Sequence, residues 1–197
     1  MDDIRELARL LHERNQIDTA ISGIILRPAT IGHIGEYIAA KVFDIRLWPS
    51  ATYKASDGYF FTGPLAGKSV DVKFYGKQER GLDVSEEQQP DYFLVFTGLE
   101  AAAASSRGST RPLLIEHVYL FHGQAVADSI RQRGVQFGAA ASIPKALWRS
   151  AEIFPGASNA ELALSVEQRQ LLFLFGQDAE TQQLVVANPG SRMSSLE

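Results

Sequence analysis

SDGYFFTGPLAGKSVDVKFY, residues 56–75, is the stretch whose reading decides the fold. Within it GPLAGKS approaches the phosphate-cradling pattern G-x-x-x-x-G-K-[ST], in which backbone N–H groups close around phosphates and a helix begins at once. The spacing here is one residue short: counting back from Gly67, Lys68 and Ser69, Thr62 stands where the first glycine is needed. The adjoining segment SVDVKFY alternates polar and apolar residues as a strand does. No nucleotide cofactor is therefore expected. Gly63-Pro64 and Gly67 read instead as the turn of an antiparallel hairpin whose strands run from Asp57 to about Thr62 and from Ser69 to Tyr75.

Working outward, the N-terminal side is helical. Ile4, Leu7, Leu10 and Leu11 recur at helical spacing, and a second helical stretch is expected from about Asp18 to Leu26, ended by Arg27-Pro28. Thr30 is placed to cap a third helix, IGHIGEYIAAKVF, running to about Phe43. After Trp48-Pro49 the period changes from helix to strand, with a short strand expected near 48–53. On the C-terminal side of the hairpin, GKQERGLDVSEEQQP reads as a polar connection and DYFLVFTGL as a buried strand ending at Gly98. AAAASSRGSTRP is a low-complexity loop, LLIEHVYLF a further strand, GQAVADSIRQRG a helix closed by Gly134, and Val166 to Phe175 a last helix. Alternating helices and strands of this kind predict one α/β domain with a mixed central sheet flanked by helices.

The chain has 197 residues, 45% of them hydrophobic, enough for one sizeable core. It contains no cysteine, which excludes disulfides, thiolate metal sites and cysteine nucleophiles and suits a reducing, cytoplasmic setting. No segment approaches the roughly eighteen apolar residues of a membrane span. The formal charge of −4 argues against a strongly basic coat, but its distribution is uneven. Between Arg107 and Arg149 six basic residues (Arg107, Arg111, Arg131, Arg133, Lys145, Arg149) face two acidic ones (Glu116, Asp128), whereas the first hundred residues carry an acidic excess. Such a division suits work on phosphates, and an ordinary mixed surface would give it too.

Three acids and a lysine carry the chemistry. A period of two puts Ser69, Asp71, Lys73 and Tyr75 on one face of their strand and Val70, Val72 and Phe74 on the other. Asp71 and Lys73 thus project side by side from a buried strand, either as a plain surface ion pair or as part of a site. Asp57 opens the preceding strand, so the hairpin returns it toward Asp71; Asp-Gly is also a common turn dipeptide. Two carboxylates with a backbone carbonyl suit a hard divalent cation, and a nearby lysine can orient or deprotonate water. In the third helix Ile31, Ile34, Ile38 and Val42 form one apolar stripe, and Glu36 lies on a second face of mainly small residues with no Lys or Arg within one turn. A buried acid needs a partner, and a shared metal or a basic group from elsewhere could supply it. His33, one turn before Glu36, is a candidate hydrogen-bond partner. His117, His122 and the Ser105-Ser106 and Ser194-Ser195 pairs lack the spacing or the local base of a site.

In this order and on these elements, Glu36, the SDG at 56–58 and the DVK at 71–73 resemble the PD-(D/E)XK nuclease superfamily over about residues 30–99. Ser56 stands where the name-giving proline would be, and Asp71 is the less common choice at its position. The resemblance implies a restriction-endonuclease-like core over 30–185, with an N-terminal helical extension over 1–29, an additional C-terminal helix and a flexible tail over 186–197. It implies that Asp57, Asp71 and the carbonyl of Val72 bind Mg²⁺, with Mn²⁺ as a substitute, that Glu36 completes the site or holds a second ion, and that Lys73 activates the attacking water. The reaction would be phosphodiester hydrolysis, most often in DNA. Lys77, Gln78, Arg107 and Arg111 are then the expected phosphate contacts, and coordinated cutting of both strands would call for a homodimer. A non-catalytic DNA- or protein-binding module on the same fold is the alternative.

Overall fold

The computed structural model describes residues 2–49, 56–87, 89–100 and 111–177. It opens with one long helix, α1 (Asp2–Ile25), where two were expected. Neither glycine nor proline interrupts residues 2–22, and Arg14 reaches Asp18 at 3.5 Å across the predicted break, so the ladder continues. Leu26, in the left-handed region at φ 56°, and Pro28 end it. Helix α2 (Ile31–Phe43) starts where Thr30 accepts from the His33 N–H and stops at Asp44, which is left-handed at φ 52°. That reversal starts a strand at once. β1 is Ile45–Leu47, and Trp48 N–H still donates to the Asp57 carbonyl at 2.9 Å before Pro49, which has no N–H to pair; of the strand expected near 48–53, residues 50–53 lie outside the described residues.

β2 (Gly58–Phe60) and β3 (Ser69–Tyr75) form the expected hairpin. The GPLAGK turn is closed by Gly67 N–H to the Phe60 carbonyl at 2.8 Å and Phe60 N–H to the Lys68 carbonyl at 3.0 Å. Gly63 and Gly67 both have positive φ, 79° and 81°, which explains the residue type there. The "polar connection" holds an unexpected strand, β4 (Gly81–Val84), before the fully buried β5 (Tyr92–Thr97). β6 (His117–His122), α3 (Gly123–Gln132), β7 (Gly138–Ser142), α4 (Lys145–Ala151), β8 (Glu152–Phe154) and α5 (Val166–Phe173) complete the chain. The expected tail and most of the low-complexity loop, Arg107 included, lie outside the described residues.

The main sheet is mixed, with order β1-β2-β3-β5-β6-β8, and antiparallel throughout except for the β3–β5 pair. A parallel pair requires a crossover. Here the crossover carries β4 away from the sheet, where it pairs with β7 as a separate two-stranded ribbon. GAAAS is a weak strand former, so β7 owes its conformation to that partner rather than to propensity.

Alternation on β3, β5 and β6 feeds two cores. Val70, Val72, Phe74, Leu94, Phe96, Val118 and Leu120 meet Ile38, Ala39, Val42 and Phe43 of α2 on one face. On the other, Phe93, Val95, Tyr119 and Phe121 meet α3, Trp148 of α4 and the ribbon residues Leu82, Val84 and Ala141. Helices on one side, and helices plus ribbon on the other, make an α/β layered domain. No helix among the described residues is long and apolar enough to cross a membrane.

Candidate functional site

β3 is the strand on which the site is built. Val70, Val72 and Phe74 are buried under α2, which turns Asp71, Lys73 and Tyr75 to the opposite face beside the ribbon. Lys73 Nζ lies 2.8 Å from Asp71 Oδ1, with about a quarter of the lysine side chain and a fifth of the aspartate exposed. Asp57 joins them from the end of β2. Its N–H donates to the Val70 carbonyl at 3.0 Å, and its Oδ2 accepts the Val72 N–H at 2.7 Å. The carboxylate thereby extends the ladder by one rung beyond the last backbone pair and is held against the strand edge. Because the N–H and C=O of one residue in a strand point the same way, the Val72 carbonyl faces this edge too.

The electrostatics of the group are unusual. Burial pushes the Asp71 carboxyl up to about 7; the Lys73 ammonium pulls it down, and the Asp57 carboxylate, acting as a neighbouring charge and a hydrogen-bond partner, pushes it up again. Lys73 alone therefore does not neutralise the pair of acids. A hard cation accepting oxygen from Asp57, Asp71 and the Val72 carbonyl would supply the missing charge, and this donor set suits Mg²⁺ with its remaining positions filled by water.

Gly58 sits next to Asp57 for a steric reason. A Cβ built there would lie 2.3 Å from the Arg46 carbonyl oxygen of β1, so the backbone carrying Asp57 can approach β1 only with glycine at this position.

No protein-family model matches the chain, and no curated protein matches it. The site must be judged on its geometry.

Glu36 stands apart from the group. The buried residues of α2 are Gly35, Ile38, Ala39, Val42 and Phe43: Ile38 and Val42 come from the expected stripe, with Ile34 packed beside them, and Ala39 and Phe43 from the second face, while Ile31 is exposed. Gly35 packs on Phe74, so α2 covers the sheet face opposite to the one bearing Asp71 and Lys73. At the rim of α2, Glu36 forms an ion pair with Arg27, the basic group from elsewhere that the sequence left open. His33 is not its partner: Nδ1 lies 2.8 Å from the Pro28 carbonyl. Among the described residues no three or more His, Asp or Glu side chains gather as a metal cluster.

A cleft of about 630 Å³ opens beside Asp71 and Lys73, walled by Asp83, Glu86 and Glu87 from the ribbon strand and its exit, and by Phe137. A second hollow of about 420 Å³ continues along the same strand past Tyr75 to Lys77, with Arg80, Arg111 and Ser142 opposite; Asp83 borders both. Tyr75 ties the strand to the ribbon by accepting the Asp83 N–H at 3.0 Å, and its buried hydroxyl is shifted upward and stays protonated. Of the expected phosphate contacts, Lys77 and Arg111 reach this hollow, and Arg111 Nη2 is held by both oxygens of Glu79 at 2.9 and 3.1 Å. Gln78 does not. It is 4% exposed: just past the end of β3 its N–H donates to the Leu99 carbonyl at 3.1 Å, its backbone bridges to Glu100, and its side chain lies beside Tyr119 of the second core. The ribbon residues Asp83, Glu86, Glu87 and Arg80 were passed over in the sequence as a solvated loop, although the alternation in GLDV was the signal for a strand.

Proposed function

We propose that the chain is a metal-dependent phosphodiesterase, a nuclease acting on DNA, built on a restriction-endonuclease-like core. The observation that carries this reading is the meeting of Asp57, Asp71 and Lys73 on β3, with Asp71 and Lys73 lining an open cleft. Structural ion pairs are usually one acid to one base; here a second carboxylate is pinned beside the pair by a backbone N–H. Asp57, Asp71 and the Val72 carbonyl would hold Mg²⁺ or Mn²⁺. The bound ion would supply Lewis-acid polarisation of a phosphoryl oxygen and of a water.

The side chains divide the remaining work. Asp57, fixed at Oδ2 by the Val72 N–H, lies against Asp71 and would turn its carboxylate toward a water or the ion. Lys73, tethered by Asp71 at 2.8 Å, presents a cation where negative charge grows on a phosphoryl group during displacement, and it can hold the attacking water in line. Tyr75 sets the spacing between the strand and the ribbon and so the width of the cleft.

The test is cleavage of single-stranded, double-stranded and branched DNA with Mg²⁺ or Mn²⁺, comparing wild type with Asp71→Ala and Lys73→Ala. Metal-dependent cutting lost in both folded variants supports the reading; a folded wild type inert on every substrate overturns it. A binding module on the same scaffold is the second reading, favoured by one observation: Glu36, the third acid that the resemblance calls for, is occupied by Arg27.

A further inference from the structure

The hollow beyond Tyr75 differs in charge from the cleft beside it. Asp71, Asp83, Glu86 and Glu87 face Lys73 alone in the first cavity, whereas the second brings Lys77, Arg80 and Arg111 together with only Glu79 and the shared Asp83. Arg111 is taken by Glu79. Lys77 and Arg80 have no hydrogen-bond or ion-pair partner for their side chains among the described residues. Two unpaired cations on one lip leave a site for negative charge that the protein itself does not fill.

The backbone beneath them is held in an unfavourable shape. Arg80 has φ +62°, a left-handed conformation that costs a residue with a Cβ and is rare outside Gly, Asn and Asp. On the partner strand of the ribbon, at the bulge beside Asp83, Ala140 has φ +54° and lines the same hollow. The surroundings enforce both: Ile143 N–H donates to the Arg80 carbonyl at 2.9 Å, and Ala140 N–H donates to Asp83 Oδ1 at 2.7 Å. Glycine would occupy position 80 without penalty. Strain that the fold maintains at a cleft is characteristic of binding sites.

We infer that Lys77 and Arg80 form a phosphate-backbone subsite that guides the DNA strand away from the Asp71–Lys73 centre along the outer edge of β3. Lys73 and Lys77 are four residues apart, at most roughly 13 Å at about 3.3 Å per residue, since the strand ends at Tyr75. At about 3.4 Å of axial rise per phosphate on one strand, this corresponds to roughly four nucleotides of B-form DNA. The subsite carries no base-reading group and recognises the backbone without regard to sequence. This assignment rests on the nuclease reading for the direction of the strand, and its test does not depend on cutting.

Binding of a labelled random-sequence duplex to the full chain is measured by anisotropy in EDTA, across a series of salt concentrations, for wild type, Lys77→Ala/Arg80→Gly and Asp71→Asn. The double variant is expected to bind at least about ten-fold more weakly at low salt, with the slope of log affinity against log salt reduced by about two. Arg80→Gly alone is expected to keep or raise the melting temperature while weakening binding, a combination that a purely structural arginine would not give. Unchanged affinity and salt slope in the double variant overturn the inference. So does a wild type that binds no DNA, or one from which polyglutamate of matching charge displaces the duplex equally well, since the site would then fit an acidic polypeptide. The two readings separate cleanly. Expected binding losses with no cutting of any substrate leave the subsite standing without the nuclease; Asp71-dependent cutting with unchanged binding in Lys77→Ala/Arg80→Gly leaves the nuclease without the subsite.

Discussion

Asp71 and Glu36 are both partly buried carboxylates with a basic partner, yet their surroundings differ in kind. Glu36 pairs with Arg27 at the rim of α2, one acid to one base, and that pair leaves no charge unanswered. Asp71 has Asp57 as a second carboxylate neighbour besides Lys73, is buried between the sheet and the ribbon, and holds its proton to about 7. A balanced pair supports the fold, while an unbalanced one marks a candidate functional site, and in the proposed reading a cation would answer it. The distinction lies in the second carboxylate rather than in the presence of a salt bridge.

The largest expected effect is on activity. Asp71→Ala and Lys73→Ala should lower cleavage by at least about a hundred-fold, in keeping with loss of a positioned charged group at a reacting centre. Glu36→Gln should lower it by less than about ten-fold in the same assay, and an equal loss would erase the contrast between the two acids. Asp57 separates charge from hydrogen bonding. Asp57→Asn retains an acceptor for the Val72 N–H and should unfold near the wild-type midpoint while losing cleavage; Asp57→Ala leaves that N–H without its partner and should cost about 1–3 kcal/mol in denaturant unfolding.

A pH titration sharpens the comparison further. The folded carboxyl of Asp71 is raised above its unfolded value, so the native state binds more protons and ionisation works against folding. The penalty is absent below the unfolded value near 4 and complete above about 7. In EDTA, wild type should therefore lose at least about 1 kcal/mol of stability relative to Asp71→Asn as the pH rises through that window. A flat difference would mean that Asp71 is no more perturbed than Glu36. The smallest effect is expected at the balanced pair. Arg27, nearly half exposed, should cost at most about 1 kcal/mol when changed to Ala, with most of the loss recovered in the Arg27→Ala/Glu36→Gln double variant.

Where sequence reading succeeded, a local period carried the information. SVDVKFY alternates, and the strand occupies Ser69–Tyr75 as read; DYFLVFTGL is apolar throughout, and β5 is buried on both faces. Where it failed, the answer depended on remote partners. GAAAS becomes β7 only because β4 lies beside it, and Gln78 is buried because its side chain meets Tyr119 of β6. Ile4, Leu7, Leu10 and Ile17 of α1 remain exposed although their spacing is that of a core-facing helix, since periodicity specifies an apolar face and not what covers it.

By itself the sequence determined the hairpin, the placing of Asp71 and Lys73 on one face of a strand, and the proximity of Asp57, because a two-residue period and a short turn act over neighbouring residues. Only the tertiary structure decided that Arg27 answers Glu36, that the ribbon walls the cleft, and that Lys77 and Arg80 share a lip without partners. Those relations join residues from separate elements and arise from the packing of whole layers, which no local pattern encodes.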